Sequence, residues 1–207
     1  MKAMEEILGN HGLLPLAVPA GAEDALATGR ALLQAGLPLL EIPLARPEMV
    51  DMVRLLRREL PELVVGAGTV LEPATFGLLR DAGAAFAVSP GFHPALADAA
   101  RESGLPWMPG VFTPGEILVA RARGYHLQKF YPAAGQQAML RACAVPFPDV
   151  RFCVTGGMEA RSLSGWLALP NVLAVGGRFI TADPAAISTH RQTAAAALSG
   201  RSRTMEE

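Results

Sequence analysis

One joint recurs along the chain and constrains its fold more than any other feature. A helical pattern ends at a glycine, a short apolar strand follows, and a proline or glycine ends the strand, as in residues 36–43, 83–91, 104–110 and 124–132. Glycine can adopt the left-handed conformation that closes a helix. The units recur about every 20–25 residues, which is the length of one strand, one helix and two short loops. This spacing predicts a regular alternation of strands and helices.

Four further apolar segments, at 13–18, 63–69, 150–157 and 172–177, bring the number of predicted strands to eight. With no long linker and no break in composition, the pattern predicts an α/β chain with one domain, residues 1–207, folded as a (β/α)8 TIM barrel. The apolar strands are typical of a parallel sheet buried on both faces. We also expect a short N-terminal helix over about 1–10 and a mobile tail over about 199–207.

An open, doubly wound sheet is the alternative fold. Gly66-Ala67-Gly68 would then form its nucleotide-binding turn, but Leu71 stands where the third glycine of the GxGxxG pattern is required. The barrel is therefore the preferred interpretation.

Composition excludes several classes of function. The net charge is −1 without long charge blocks, so nucleic acid and membrane surfaces are not expected as partners. No apolar run reaches the roughly 18 residues of a membrane helix, and Glu5 and Glu6 argue against a signal peptide, which predicts a cytoplasmic protein. Cys143 and Cys153 have neither CxxC nor metal-site spacing, so no metal site is predicted.

A single lysine stands out within the predicted strands. The chain has 18 Lys and Arg residues, but only Lys2 and Lys129 are lysines, and Lys129 lies in a mostly apolar strand that ends at Pro132. Desolvation lowers a lysine pKa, and a neutral amine attacks carbonyl groups. Lys129 is thus a candidate Schiff-base lysine. The alternative is an ordinary strand lysine whose stem packs while its head reaches water.

In a barrel, functional residues lie where the strands end at their carboxyl side. Glu41 is one of them, and in so apolar a setting it would pair with Lys129, have a raised pKa, or both; a structural ion pair is the alternative. Two glycine pairs end the last two strands, where barrels commonly bind phosphate, although tight turns would also use them. The rule selects Glu41, Thr69, Ser89-Pro90-Gly91, Pro109-Gly110, Lys129, Thr155-Gly156-Gly157 and Gly176-Gly177.

Several of these segments carry a family resemblance. They include residues 40–44, 65–71 (VGAGTVL), 89–91, 129–132 (KFYP) and 150–157 (VRFCVTGG). The chain resembles the 2-keto-3-deoxy-6-phosphogluconate (KDPG) aldolase family, which includes the 6-phosphogalactonate and 4-hydroxy-2-oxoglutarate aldolases. The resemblance spans residues 13–179 in order. It implies a homotrimeric class I aldolase that uses no metal or other cofactor and acts on a small 2-keto acid.

The resemblance also implies a role for each matching position. Lys129 would form the Schiff base, Glu41 would move protons through a water, and Thr69 would hold the pyruvate carboxylate. The pocket wall would be shaped by the backbone of Pro90, Gly91 and Gly110, and the iminium would lie beside the ring of Phe130. The polar chain of the substrate would contact Thr155, Gly156 and Gly157, and its phosphate would contact Gly176 and Gly177.

Three positions depart from the family pattern. Gluconate-type members have an arginine four residues after the glutamate; here Ala45 is followed by Arg46, which could replace it only if the loop shifts. The galactonate branch has an arginine where this chain reads 16-LAVP-19, and Arg178 replaces a frequent serine in the phosphate turn. Arg178 could bind a phosphate as a bidentate donor, or mark a substrate with another tail.

The implied reaction is cleavage of a 2-keto-3-deoxy-6-phospho sugar acid to pyruvate and glyceraldehyde 3-phosphate. Two alternatives remain open at this point. One is 4-hydroxy-2-oxoglutarate cleavage to pyruvate and glyoxylate, and the other is a barrel that binds a phosphorylated metabolite without aldol chemistry.

Overall fold

A computed structural model describes the backbone of residues 2–204 and the side chains of residues 4–201. Strands and helices alternate along the chain, as the recurring joints predict. The strands are Leu13–Pro15 (β1), Leu39–Pro43 (β2), Val64–Gly68 (β3), Ala87–Val88 (β4), Trp107–Met108 (β5), Gly110–Val111 (β6), Leu127–Phe130 (β7), Arg151–Val154 (β8) and Val172–Gly177 (β9). The α-helices are Lys2–His11 (α1), Ala22–Gln34 (α2), Met49–Glu59 (α3), Thr75–Asp81 (α4), Pro94–Ser103 (α5), Pro114–Ala122 (α6), Gln137–Ala142 (α7), Leu163–Leu167 (α8) and Ile187–Thr204 (α9).

The strands form two all-parallel sheets that together close a barrel. One sheet has the order β2-β3-β4-β5 and the other β1-β9-β8-β7-β6. A parallel bridge between Leu16 and Glu41 joins β1 to β2, and the Ala17 amide donates to the Glu41 carbonyl at 3.1 Å. The two sheets therefore meet edge to edge at this seam, and the predicted (β/α)8 barrel is confirmed.

The second seam lies within the fifth barrel strand. β5 and β6 are its two halves, separated by Pro109. Proline has no backbone N–H and so interrupts a hydrogen-bonded ladder. The Pro109 carbonyl still accepts a bond from the Lys129 amide at 2.8 Å, so the neighbouring strand β7 remains attached across the break.

Side chains alternate between two apolar layers on either side of the barrel wall. Along β7, Leu127 belongs to the inner layer and Phe130 to the outer layer, which packs against the helices. Met4 and Leu8 of α1 join the inner layer and are buried there. Because α1 leads directly into β1, these two side chains close the amino-terminal end of the barrel, and the carboxyl-terminal end is left as its mouth.

Helix ends follow the sequence signals. Thr113 and Glu116 form a capping box at the start of α6, and Gly104 ends α5 with a φ of 72°. Helix α9 contains an alanine-rich segment with high helix propensity and extends to Thr204, into the predicted tail of about 199–207, whose mobility stays a prediction. Arg201 also ties α9 to the barrel by donating to the carbonyls of Leu169 and Val172. Residues 205–207 lie outside the described part of the chain.

Among the described helices, none combines the length and the apolar character needed to cross a membrane.

Candidate active site

Lys129 lies at the floor of a cavity in the barrel mouth. Its side chain projects inward from β7 and is almost fully buried. The cavity, which we call the mouth cavity, has a volume of about 460 Å³. It is lined by Leu16, Lys129, Tyr131, residues 155–158 and residues 176–179, which all follow or end strands of the five-stranded sheet.

A buried carboxylate faces the lysine across the barrel. Lys129 Nζ lies 3.6 Å from Glu41 Oε1, an ion-pair distance that is too long for a good hydrogen bond. Neither oxygen of Glu41 has a hydrogen-bond partner among the described residues. Burial raises the pKa of Glu41, and the positive charge of Lys129 opposes that rise only in part. Glu41 is thus suited to hold and release a proton.

Gly68 makes room for this carboxylate. A Cβ atom at position 68 would lie only 1.9 Å from Glu41 Oε1. A glycine is therefore required at the end of β3 for the observed position of Glu41.

Phe130 does not lie beside Lys129, in contrast to the role implied by the family resemblance. It is fully buried in the outer layer, where it stacks on Phe112 and meets Phe152 edge to face. The neighbouring Tyr131 takes that place, since its ring centre lies 5.5 Å from Lys129 Nζ. Because side chains alternate along a strand, the positions after Lys129 already indicated that Tyr131, not Phe130, faces the mouth.

Two glycine pairs, at positions 156–157 and 176–177, line the mouth cavity. Gly156 and Gly157 have φ values of 91° and 73°, which favour glycine. A Cβ at Gly176 would meet the Thr155 methyl group at 2.7 Å. The Thr155 hydroxyl is buried and has no hydrogen-bond partner among the described residues. These predicted residues are thus brought together with Lys129.

Arg178 lies at the rim, next to the second glycine pair. Its side chain makes no hydrogen bond or ion pair with any residue that the structure describes. Lys129 and Arg178 are the only charged residues that line the mouth cavity within the described chain. Because Lys129 is paired with Glu41, Arg178 is the cation of this cavity that is suited to bind an anionic group of a ligand.

Thr69, Pro90, Gly91 and Gly110 lie at strand ends of the same mouth but do not line this cavity. Thr69 is the only non-glycine residue with a positive φ in the described chain, at 60°. A Cβ at Gly110 would lie 2.2 Å from the Pro90 carbonyl group. Gly110 therefore allows β6 to touch the loop after β4.

Arg46 is held away from the mouth cavity. Its Nε bonds Glu48 Oε1 at 2.8 Å, and its Nη2 donates to the Pro19 carbonyl at 3.0 Å. The structure does not bring Arg46 together with Lys129.

Sequence reasoning missed four residues of the cavity wall: Leu16, Tyr131, Met158 and Phe179. A second cavity of about 420 Å³ shares Leu16, Arg178 and Phe179 with the first. Each of the four follows or ends a strand, so the position of the strand ends was the signal, but their apolar character hid them. Among the described residues, no group of three or more His, Cys, Asp or Glu side chains could hold a metal ion.

Comparison with known proteins gives a consistent result. A family model described as "KDPG and KHG aldolase" matches residues 4–193. The 2-dehydro-3-deoxy-phosphogluconate aldolase of Pseudomonas aeruginosa is 42% identical over 81% of this chain and 77% of that protein. A KDPG aldolase from Legionella pneumophila, with pyruvate captured as a covalent carbinolamine, is 35% identical, with a TM-score of 0.84 and coverage of 93% and 97%. The enzyme from Zymomonas mobilis ZM4 with 3-phosphoglycerate is 32% identical, with a TM-score of 0.86 and coverage of 95% and 96%.

Proposed function

The chain belongs to the KDPG and KHG aldolase family, and from this premise we propose that Lys129 and Glu41 cleave a 2-keto-3-deoxy-6-phospho sugar acid to pyruvate and glyceraldehyde 3-phosphate. As a member of this family it is a carbon–carbon lyase, a Schiff-base aldolase that releases pyruvate. Family membership decides against a barrel that binds a phosphorylated metabolite without aldol chemistry.

The observation that carries the assignment of residues is the pair at the cavity floor. An amine opens into the mouth cavity 3.6 Å from a buried carboxylate whose oxygens have no hydrogen-bond partner in the described chain. The amine attacks the C2 carbonyl to give a carbinolamine, which loses water to form an iminium. The iminium accepts the electron pair of the C3–C4 bond, so the aldehyde departs and an enamine stays attached to Lys129.

Glu41 supplies the proton transfers that this sequence needs. Cleavage requires a base for the proton of the C4 hydroxyl, and release of pyruvate requires an acid that protonates C3 of the enamine. One carboxyl group can serve both steps in turn, because the proton taken in the first is returned in the second. The raised pKa of Glu41 supports this role, since burial favours its protonated form relative to that of an ordinary glutamate. The iminium is then hydrolysed, which frees pyruvate and Lys129.

Thr69 would hold the carboxylate of the keto acid on the opposite side of the mouth, with the backbone of Pro90, Gly91 and Gly110 shaping the pocket there. Arg46 could contact that carboxylate only after leaving Glu48 and the Pro19 carbonyl. On the other side, Thr155 and the adjacent glycine turn would contact the polar chain of the substrate.

The phosphate would bind at Gly176, Gly177 and Arg178. The position of Arg178 in the wall of the mouth cavity supports a substrate whose distal end is anionic. The Zymomonas relative was crystallised with a phosphorylated three-carbon acid, which is in keeping with such a site. A homotrimer, which the resemblance implies, is part of the same proposal.

Cleavage of 4-hydroxy-2-oxoglutarate to pyruvate and glyoxylate is the second candidate. The family description includes aldolases for this substrate, abbreviated KHG, and 4-hydroxy-2-oxoglutarate ends in a carboxylate. Arg178 favours this candidate as much as the first, because a guanidinium binds a carboxylate and a phosphate with the same bidentate geometry.

Trapping with pyruvate tests the role of Lys129. Protein incubated with pyruvate and reduced with borohydride should gain the mass of one reduced pyruvyl group, and peptide mapping should place it on Lys129. Lys129→Ala should lose the adduct and lower kcat/KM by roughly a thousandfold or more. Lys2→Ala, which replaces the chain's other lysine, is the matched control and should keep both. Full cleavage activity in Lys129→Ala would refute the assignment.

A substrate comparison tests the distal end. kcat/KM should be highest for one of the 6-phosphorylated acids, either the gluconate or the galactonate type. Equal values with and without the phosphate would refute a phosphate site, and a higher value for 4-hydroxy-2-oxoglutarate would support the second candidate.

A further inference from the structure

A buried chain of hydrogen bonds links three strands of the four-stranded sheet just below the mouth. The indole Nε1 of Trp107 donates to Ser89 Oγ at 2.8 Å, and Ser89 Oγ donates to the carbonyl of Val70 at 2.6 Å. Trp107 is in β5, Ser89 follows β4, and Val70 lies two residues after β3. All three residues are fully buried, and none of them lines the mouth cavity.

The direction of these bonds is fixed by the groups that make them. An indole N–H can only donate and a carbonyl can only accept, so the single proton of the Ser89 hydroxyl must point to Val70. The Trp107 ring is itself held by an aromatic cluster. Its centroid lies 5.0 Å from Tyr125, 5.9 Å from Phe92 and 6.0 Å from Phe76. The chain of hydrogen bonds therefore extends from a rigid aromatic cluster to the turn after β3.

Thr69 is the residue that this turn presents to the mouth. Its φ of 60° is unfavourable for a β-branched residue. Both of its neighbours are held in place. The Gly68 carbonyl accepts from the Leu44 amide at 2.9 Å, and the Val70 amide donates to the Val88 carbonyl at 3.0 Å. The bond from Ser89 secures the remaining polar group of Val70. Such strain persists only where the surroundings over-determine it, and it clusters at functional sites.

We propose that Ser89 and Trp107 are positioning residues that hold Thr69 in its left-handed conformation, so that it can bind the carboxylate of the keto acid. The inference rests on the proposed function, which assigns that contact to Thr69. Neither Ser89 nor Trp107 touches the reacting atoms. They act through the backbone of Val70 and belong to the four-stranded sheet, whereas Lys129 belongs to the five-stranded sheet.

The expected kinetic signature separates this role from general stabilisation. The substrate carboxylate keeps its charge through the reaction, so loss of its contact weakens ground state and transition state alike and raises KM while kcat stays unchanged. Ser89→Ala should raise KM about tenfold, and Trp107→Phe, which keeps a ring but loses the N–H, about threefold. Trp166→Phe is the matched control, because Trp166 is a buried tryptophan outside the mouth cavity, and it should leave KM unchanged.

A double-mutant cycle with Thr69→Gly supplies the sharper test. Glycine adopts a positive φ without strain, so Val70 no longer has to enforce it. Thr69→Gly should itself raise KM, and adding Ser89→Ala to it should raise KM no further. All assays are made well below the Tm of each variant, which is measured alongside.

Three outcomes would overturn the inference: unchanged KM in both Ser89→Ala and Trp107→Phe, a fall in kcat at unchanged KM, or equal effects of Ser89→Ala with and without Thr69→Gly. If Ser89→Ala does not fold, Trp107→Phe and its combination with Thr69→Gly decide by the same criteria. The Lys129→Ala variant distinguishes failure of the positioning role from failure of the proposed aldolase mechanism. If Lys129→Ala is inactive while Ser89→Ala has wild-type KM, only the positioning role fails.

Discussion

The two sheets of the barrel contribute differently to the mouth. The five-stranded sheet supplies Lys129 and the walls of the mouth cavity, including both glycine pairs and Arg178. The four-stranded sheet supplies Glu41 and the strained Thr69 but no wall of that cavity. In the proposed reaction, covalent attachment and phosphate binding therefore belong to the five-stranded half, and proton transfer and carboxylate binding to the four-stranded half. The reaction depends on the 3.6 Å contact that joins them.

Glycine serves two different purposes around the mouth. Gly156 and Gly157 in the five-stranded half have positive φ values and shape a turn. Gly68 in β3 of the four-stranded sheet and Gly110 in β6 of the five-stranded sheet do not have positive φ values and instead leave space, for the Glu41 carboxylate and the Pro90 carbonyl respectively. Substitutions should therefore act through turn conformation at Gly156 and Gly157, and through volume at Gly68 and Gly110.

The largest expected effect comes from removing the proton-transfer group, which the four-stranded half supplies. Glu41→Gln keeps the shape of the side chain but cannot exchange protons, so kcat should fall by about 10²–10⁴-fold. Borohydride should still trap pyruvate on Lys129, because the amine remains in the intact half. Glu62→Gln, at an exposed glutamate before β3, is the control. Wild-type kcat in Glu41→Gln would show that the halves do not divide the chemistry in this way.

The next effect tests the role of volume. Gly68→Ala would place a Cβ on the Glu41 carboxylate, so we expect kcat to fall about a hundredfold and the free energy of unfolding to drop by about 1–3 kcal/mol. Gly77→Ala is the matched control, since a Cβ there meets open space and should stabilise α4 by about 0.5–1 kcal/mol. Steady-state kinetics and urea unfolding measure both. A Gly68→Ala enzyme with normal kcat would mean that Glu41 need not stay where it is.

A smaller effect is expected at the rim of the five-stranded half. Arg178→Ala should raise KM for the phosphorylated substrate about 10–100-fold, because one charged hydrogen-bonding partner is lost. kcat should change little. Arg46→Ala, in the other half, should leave the preference for phosphorylated substrate intact, and Arg141→Ala, exposed on α7, should change nothing. An equal loss of that preference in Arg46→Ala would mean that both halves contribute to the phosphate site.

The smallest effect is a change in the pH dependence of stability. A carboxyl group with a raised pKa binds its proton more tightly in the folded state than in the unfolded chain. Its contribution to stability is therefore complete below the ordinary value of 4.5 and is lost as pH rises through the raised value. The free energy of unfolding of Glu41→Gln should thus gain on that of the wild type as pH rises above 4.5. Urea unfolding at a series of pH values measures this, and a difference that moves the other way would mean that pairing with Lys129 outweighs burial.

Much of the fold followed from the sequence, because helix-closing glycines and strand-ending prolines are local signals. The Lys129–Glu41 pairing also followed, since strand ends in a barrel converge. Phe130 was misplaced because the family motif was applied without the alternation of side chains along β7. The constraint on Arg46 could not be predicted, because it depends on the Pro19 carbonyl, 27 positions away.

The closed lower end of the barrel also has a kinetic consequence. Met4 and Leu8 seal the inner layer, so the mouth is the entrance to a blind passage with Lys129 at its inner end. The aldehyde fragment, nearer the rim, must depart before pyruvate can, and in the direction of synthesis pyruvate must enter first. The N-terminal helix contributes no group to the chemistry, but it thereby imposes an order on the entry of substrates and the release of products.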